Sequence, residues 1–210
     1  MTTRIKSRIT KSTEARKNPR QGRSRQTRLD LLEGATRVLR QRGASGLTTN
    51  RVAEQAGVSV GSLYQYYPNK AALLADLHAE EGNRLWQELG PLLRDTTQPA
   101  RIRLLCLLEG VFVAQAAAAE HHEALEAEGV DLLATDELKN LGEQFQAELA
   151  ALLMREVQRP KDIAESEASF CLMTVFGLLP QLAKNARDEA QTRQLAAQTA
   201  AMLSAYLQLP

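Results

Sequence analysis

Histidine, cysteine and aromatic side chains are scarce in this chain. There are three histidines (His78, His121 and His122), two cysteines (Cys106 and Cys171), and aromatics make up only 4% of the residues. Those shortages remove most enzyme classes. No glycine loop is suited to cradle a phosphate, and no Ser, His and Asp are set around a strand-turn-helix context. The adjacent His121 and His122 cannot share one face of a helix, and no second Cys or His cluster stands at ligand spacing, so neither a metal nor a cofactor is expected. Both cysteines fall in apolar helical patterns and are read as buried reduced thiols, which fits a cytoplasmic protein. No apolar run reaches the ~20 residues of a membrane span. The basic amino terminus has no apolar stretch behind it, as a secretory signal would. Period-two alternation between turn signals is also missing, so no sheet is expected.

What the chain does have is a lopsided charge. Residues 1–75 carry 15 Lys and Arg against 4 Asp and Glu, while the rest carry 11 against 21, and the formal net charge of +1 hides the difference. Up to Arg28 there are ten basic residues (Arg4, Lys6, Arg8, Lys11, Arg16, Lys17, Arg20, Arg23, Arg25, Arg28) and one acid, Glu14. A basic first third joined to an acidic remainder suggests that one end meets a polyanion. Residues 1–24 hold almost no large apolar side chains and are read as a mobile basic arm able to lie along phosphates or in a minor groove.

Helical periodicity begins near Arg25. Leu32, Ala35, Thr36 and Leu39 lie on one helical face, and Gly43 ends it. Thr48 is a good N-cap for a short helix that Gly57 closes with a positive φ. Leu47 and Val52 stand at the staple positions of that helix. Ser59 caps a second short helix, Val60 to Tyr67, with Val58 and Leu63 as its staple, and Pro68 interrupts it. Asn69 caps a longer helix from Lys70 to Leu89. Further helices are expected near 99–119, 121–128, 136–158, 162–186 and 189–207, giving an all-α chain of about nine helices.

Two short helices joined by a tight glycine turn form a helix-turn-helix. Small Ala53 allows a close crossing, and Val52, Val58 and Leu63 pin the angle. The second helix is then free to enter a major groove. The run TTNRVAEQAGVSVGSLYQYYPNKAALL (Thr48–Leu74) resembles the DNA-binding signature of the tetracycline-repressor (TetR) family, with Tyr66 where that family often has His or Tyr and Tyr67 where it often has Phe. The preceding helix over 25–42 and a length near 200 residues fit the same family. The resemblance implies a helix-turn-helix domain over 25–70 after the arm at 1–24, and a helical dimerisation and ligand-binding domain over 71–210. It implies contacts to double-stranded operator DNA from Arg25, Thr48, Thr49, Asn50, Ser59, Val60, Gly61, Ser62, Tyr64, Tyr66 and Lys70. Hydroxyls, amides, helix N-termini and lysine are ordinary phosphate ligands. Val60 and Gly61 suit thymine methyls and close backbone approach, and Gln65 is the recognition helix's only amide.

A palindromic operator needs a dimer, and the apolar helices at about 162–186 and 189–207 are its natural interface. Their apolar residues include Phe170, Met173, Val175, Phe176, Leu178, Leu179 and Leu182 on the first and Leu195, Met202, Leu203, Tyr206 and Leu207 on the second. Pro180, with Gly177 before it, is expected to bend the first. Trp86, Phe112, Gln115, His121, His122, Phe145, Met173 and Phe176 are candidate liners of a cavity for a small, mainly apolar effector that releases the repressor. Two other readings stay open. One is a helix-turn-helix regulator governed by a protein partner or by no small ligand; the other is a non-specific DNA-binding protein.

Overall fold

The computed structural model describes residues 22–130, 136–185 and 188–210. Most of the expected arm, residues 1–21, lies outside the described residues. Nine α-helices and one short 3-10 helix account for the regular structure among the described residues. They are α1 (Gly22–Gly46), α2 (Thr49–Gln55), α3 (Val60–Tyr66), α4 (Lys70–Leu89), α5 (Ala100–Ala117), α6 (Ala119–Ala127), α7 (Asp136–Glu156), α8 (Lys161–Asn185) and α9 (Glu189–Leu207), with the 3-10 turn at Gly90–Arg94. The 3-10 turn is absent from the sequence reading. Helix α1 starts at Gly22, inside the stretch assigned to the arm, and its helical geometry breaks at Gly43 (φ 65°). Helix α8 runs on through Pro180 to Asn185. No single helix among the described residues is long and apolar enough to cross a membrane.

The chain divides into two compact units. One holds the chain up to Leu77 together with a stretch beginning at Glu123; the other holds His78–His122 and the carboxyl-terminal part. In the first, Leu31, Leu32, Ala35, Val38 and Leu39 of α1 are buried, as are Val52 and Ala53 of α2, Leu63 of α3 and Leu73 and Leu74 of α4. The close crossing depends on Gly34 as well as on Ala53. A Cβ at Gly34 would stand 3.0 Å from the Val52 carbonyl oxygen and 3.1 Å from the Ala56 nitrogen. In the second unit α5 packs most extensively on α9, and α7 on α8. Its core is built largely from leucine and alanine, with Phe112 and Cys171 among them. Arg103 is buried there, donating to the Leu93 carbonyl at 2.9 Å and pairing with Glu156. Burial would raise the Glu156 pKa, but the guanidiniums of Arg103 and Arg155 outweigh it and hold the carboxyl below its usual range. The two cysteines differ: Cys171 is buried and its thiol is pushed up to about 12, by burial first and Glu167 second. Cys106 is exposed, against expectation, because it falls on the outer side of α5.

Candidate nucleic-acid interface and apolar cavity

The helix-turn-helix is assembled from short-range hydrogen bonds. The Thr48 side chain accepts from the Arg51 N–H at 3.3 Å and starts α2. Gly57 (φ 67°) ends it, with Val58 N–H on the Ala53 carbonyl at 3.0 Å and Gly57 N–H on the Glu54 carbonyl at 3.1 Å. That bond pair is a Schellman turn, and its left-handed residue favours glycine. Ser59 Oγ accepts from the Ser62 N–H at 3.0 Å and lies 2.8 Å from Ser62 Oγ. Asn69 Oδ1 accepts from the Ala72 N–H at 2.8 Å and caps α4. Each cap satisfies a backbone donor left over at a helix start.

Leu63 and Tyr66 are the buried residues of α3, whereas Gly61, Tyr64 and Gln65 are exposed and Val60 and Ser62 half-buried. Ser59, Thr48, Asn50 and Arg25 are exposed and Thr49 half-buried. Thr49 Oγ1 and the Tyr64 hydroxyl lie 3.3 Å apart, joining α2 to α3 on the outer face. A pair of short helices with an open outer face, two capped N-termini and adjacent hydroxyls can offer backbone and side-chain donors to phosphate.

Two of the expected contacts are engaged elsewhere. Tyr66 is buried, and its hydroxyl stands 3.1 Å from Ser24 Oγ on α1. Turned inward, it ties α3 to the first helix. The Lys70 ammonium is 3.0 Å from Glu128, and both side chains are mostly buried. Arg28, counted with the arm's charges, is also committed: it makes a two-pronged pair with Asp76, at 2.8 and 2.7 Å. The Tyr67 hydroxyl donates to the same carboxylate at 2.6 Å. That bond gives Tyr67, at a position where the resembling family often has Phe, a hydroxyl partner inside the unit. Sequence reasoning missed this three-residue lock; an isolated acid, Asp76, in an apolar helical run is the one signal that pointed to it.

The second unit contains an apolar cavity of about 110 Å³. Of the expected liners, Trp86, Gln115, Phe145 and Phe176 wall it. The Trp86 and Phe145 rings meet edge to face at 6.3 Å. Four candidates do not line it. Phe112 is part of the buried core, and Met173 is exposed beside a separate groove next to α7. His121 is buried with its Nδ1 2.7 Å from Glu81, and His122 packs edge-on against His78 with ring centres 5.3 Å apart. His78 is the polar wall residue that the sequence did not suggest. Burial, with help from His122, pushes its imidazole down from 6.5 to about 4, a shift that Glu81 only partly opposes. Among the described residues no three metal-ligating side chains are gathered.

Residues 31–77 match the family model of bacterial regulatory proteins of the tetR family. The chain is 30% identical over 103 residues to the HTH-type transcriptional repressor KstR2 of Mycobacterium tuberculosis, a match covering 49% of each chain. It thus spans about half the length of that relative, and 37% of a second Mycobacterium tuberculosis HTH-type regulator that it matches. In fold it is similar to a TetR transcription regulator from Haloarcula marismortui (TM-score 0.65, 23% identity, covering 89% of this chain and 100% of that one). It is also similar in fold to the regulator FadR from Bacillus subtilis in complex with stearoyl-CoA (TM-score 0.54, 14% identity, covering 83% and 96%).

Proposed function

We propose that this chain, whose residues 31–77 match the family model of bacterial regulatory proteins of the tetR family, is a dimeric, sequence-specific repressor that leaves a palindromic operator when a small apolar ligand fills its cavity. The observation that carries the DNA reading is the outer face of α3, where Gly61, Tyr64 and Gln65 are exposed beside the capped starts of α2 and α3. Thr48, Thr49, Ser59, Ser62 and Tyr64 hold phosphates, while Asn50, Val60, Gly61 and Gln65 meet base edges and Arg25 adds charge. Lys70 serves a phosphate in competition with Glu128. Tyr66 acts through α1 and not on DNA. Repression is adopted from the name of the curated relative.

Dimerisation uses α8 and α9. Phe170, Met173, Leu178, Met202 and Tyr206 are large apolar residues left exposed on these two helices, and the Phe170 and Tyr206 rings lie 5.1 Å apart. A paired copy would cover them in a four-helix bundle. Switching follows from α4, one helix that carries Lys70 and Asp76 near its start and His78, Leu85 and Trp86 on the cavity wall. A ligand that fits one position of α4 better than another shifts the population of operator-competent dimers.

Selection of bound duplexes from a random pool tests the DNA reading. The expected result is a palindrome whose half-sites are about one helical turn apart, and Tyr64→Ala should weaken its binding. Binding without any enriched sequence would leave a non-specific polyanion binder in its place. Tyr206→Glu should yield monomers by light scattering and abolish binding to the palindrome.

A further inference from the structure

The cavity's chemistry narrows the ligand. Its walls are hydrocarbon and ring faces, Leu85, Trp86, Val111, Phe145 and Phe176 among them, and its polar wall residues are His78 and Gln115. Both present uncharged groups, since burial keeps the His78 imidazole neutral at physiological pH. Its Nδ1 is buried with no hydrogen-bond partner among the described residues. A buried, unsatisfied ring nitrogen is costly, and because His78 lines the cavity a turn of its ring would let a ligand oxygen complete it. The nearby charge, Glu81, is negative and already engaged by His121 at 2.7 Å. A carboxylate ligand would therefore be stripped of water against neutral groups, with a second carboxylate close by, which is strongly unfavourable. A neutral hydroxyl or carbonyl meets no such penalty. Size adds a scale: a dry cavity of roughly 150 Å³ is known to take one benzene, and this one, about 110 Å³ and partly open, has room for one ring with its substituent toward the opening.

We propose that the effector is a neutral compound about the size of a single ring, or an equally short chain, carrying one hydroxyl or carbonyl whose oxygen hydrogen-bonds His78. This rests on the ligand-controlled reading above and names the chemical class for that site. Trp86 is the chain's single tryptophan and lines the cavity, so its fluorescence reports occupancy directly. The test titrates the full chain at pH 7.5 with benzyl alcohol, toluene, benzoate and benzylamine. Benzyl alcohol is expected to bind at least tenfold more tightly than each of the others. His78→Leu should bring the alcohol down to the level of toluene without weakening toluene, and His78→Gln, which keeps a neutral hydrogen-bonding group, should retain part of the preference. Benzoate or benzylamine binding as tightly as the alcohol would overturn the proposal. So would an unchanged alcohol affinity in His78→Leu, or no binding by any probe. Duplex selection on the same preparations separates the two readings. Intact operator binding with no alcohol binding sinks this inference alone, whereas the expected probe order without an enriched duplex supports the cavity assignment and sinks the regulatory reading.

Discussion

In the amino-terminal unit, the helices that form the candidate DNA face are tied by directional bonds: three side-chain caps, the Thr49–Tyr64 bridge and the Arg28–Asp76–Tyr67 lock. In the carboxyl-terminal unit, the cavity walls are held mainly by leucine and alanine packing, with the Arg103–Glu156 and Arg159–Glu167 pairs as mostly buried ion pairs. Directional bonds fix a helix to within a rotamer, which a surface read by phosphates requires. Apolar packing keeps its free energy while side chains exchange shapes, which a wall that admits a ligand can tolerate.

The strongest way to break that contrast is to remove an ion-pair partner in each unit. Asp76→Ala removes the carboxylate that the Arg28 guanidinium and the Tyr67 hydroxyl share and should cost about 3–4 kcal/mol in urea unfolding, with operator binding lost in parallel. Arg193→Ala removes the exposed Arg193–Glu189 pair of α9 and should leave the melting temperature unchanged. An unchanged unfolding free energy in Asp76→Ala would mean that the Arg28–Asp76–Tyr67 lock does not hold the first unit together.

Acid should act first on the second unit. His78 titrates near 6.5 when unfolded and near 4 when folded, so the unfolded chain binds the proton first as pH falls. The stability that depends on the neutral ring is whole above pH 6.5 and is lost on the way down to pH 4, by up to about 3 kcal/mol. His122, Glu81 and His121 face the same ring. In His78→Leu the slope of unfolding free energy against pH over that window should flatten; an unaltered slope would assign the titration to those neighbours.

One substitution made in both units should change sign. Gly34→Ala pushes a methyl against the backbone of α2 and should destabilise by about 2 kcal/mol despite alanine's better helix propensity. Gly177→Ala in α8 meets nothing within 4 Å and should stabilise by about 0.5–1 kcal/mol. The smallest effect sharpens the DNA face itself. Glu128→Gln frees Lys70 for phosphate, so operator affinity should rise and the slope of log affinity against log salt should steepen by about 0.9. A slope identical to that of the unaltered chain would remove Lys70 from the contacts.

The same contrast explains how much was legible in the sequence. Thr48, Gly57, Ser59 and Asn69 act on backbone groups two or three residues away, so their roles could be read from the chain alone, and the helix limits came out within a few residues. The Arg28–Asp76 pair joins positions 48 apart, and no local pattern announces it. In the second unit, Phe112 and Phe145 look alike as aromatics at helical spacing. Which one faces the core and which the cavity depends on how each helix is rotated in its packing, a property of the whole unit. His78 gives no signal in the sequence because it lies in the continuous apolar pattern of α4, and Met173 gives a misleading one because side-chain type says nothing about which groove a helix borders.

The partition of the chain bears on recombination. The amino-terminal unit is discontinuous, taking the chain up to Leu77 and then a second stretch that starts at Glu123 in the middle of α6. A hybrid made by a single cut after Leu77 would join this candidate DNA-binding unit to a foreign body and discard Glu128, the partner of Lys70. Grafting a new sensor onto this unit takes two crossovers more than the single cut: the foreign sequence replaces His78–His122 and resumes after the native α6 segment, so the unit travels as two pieces of one inheritance.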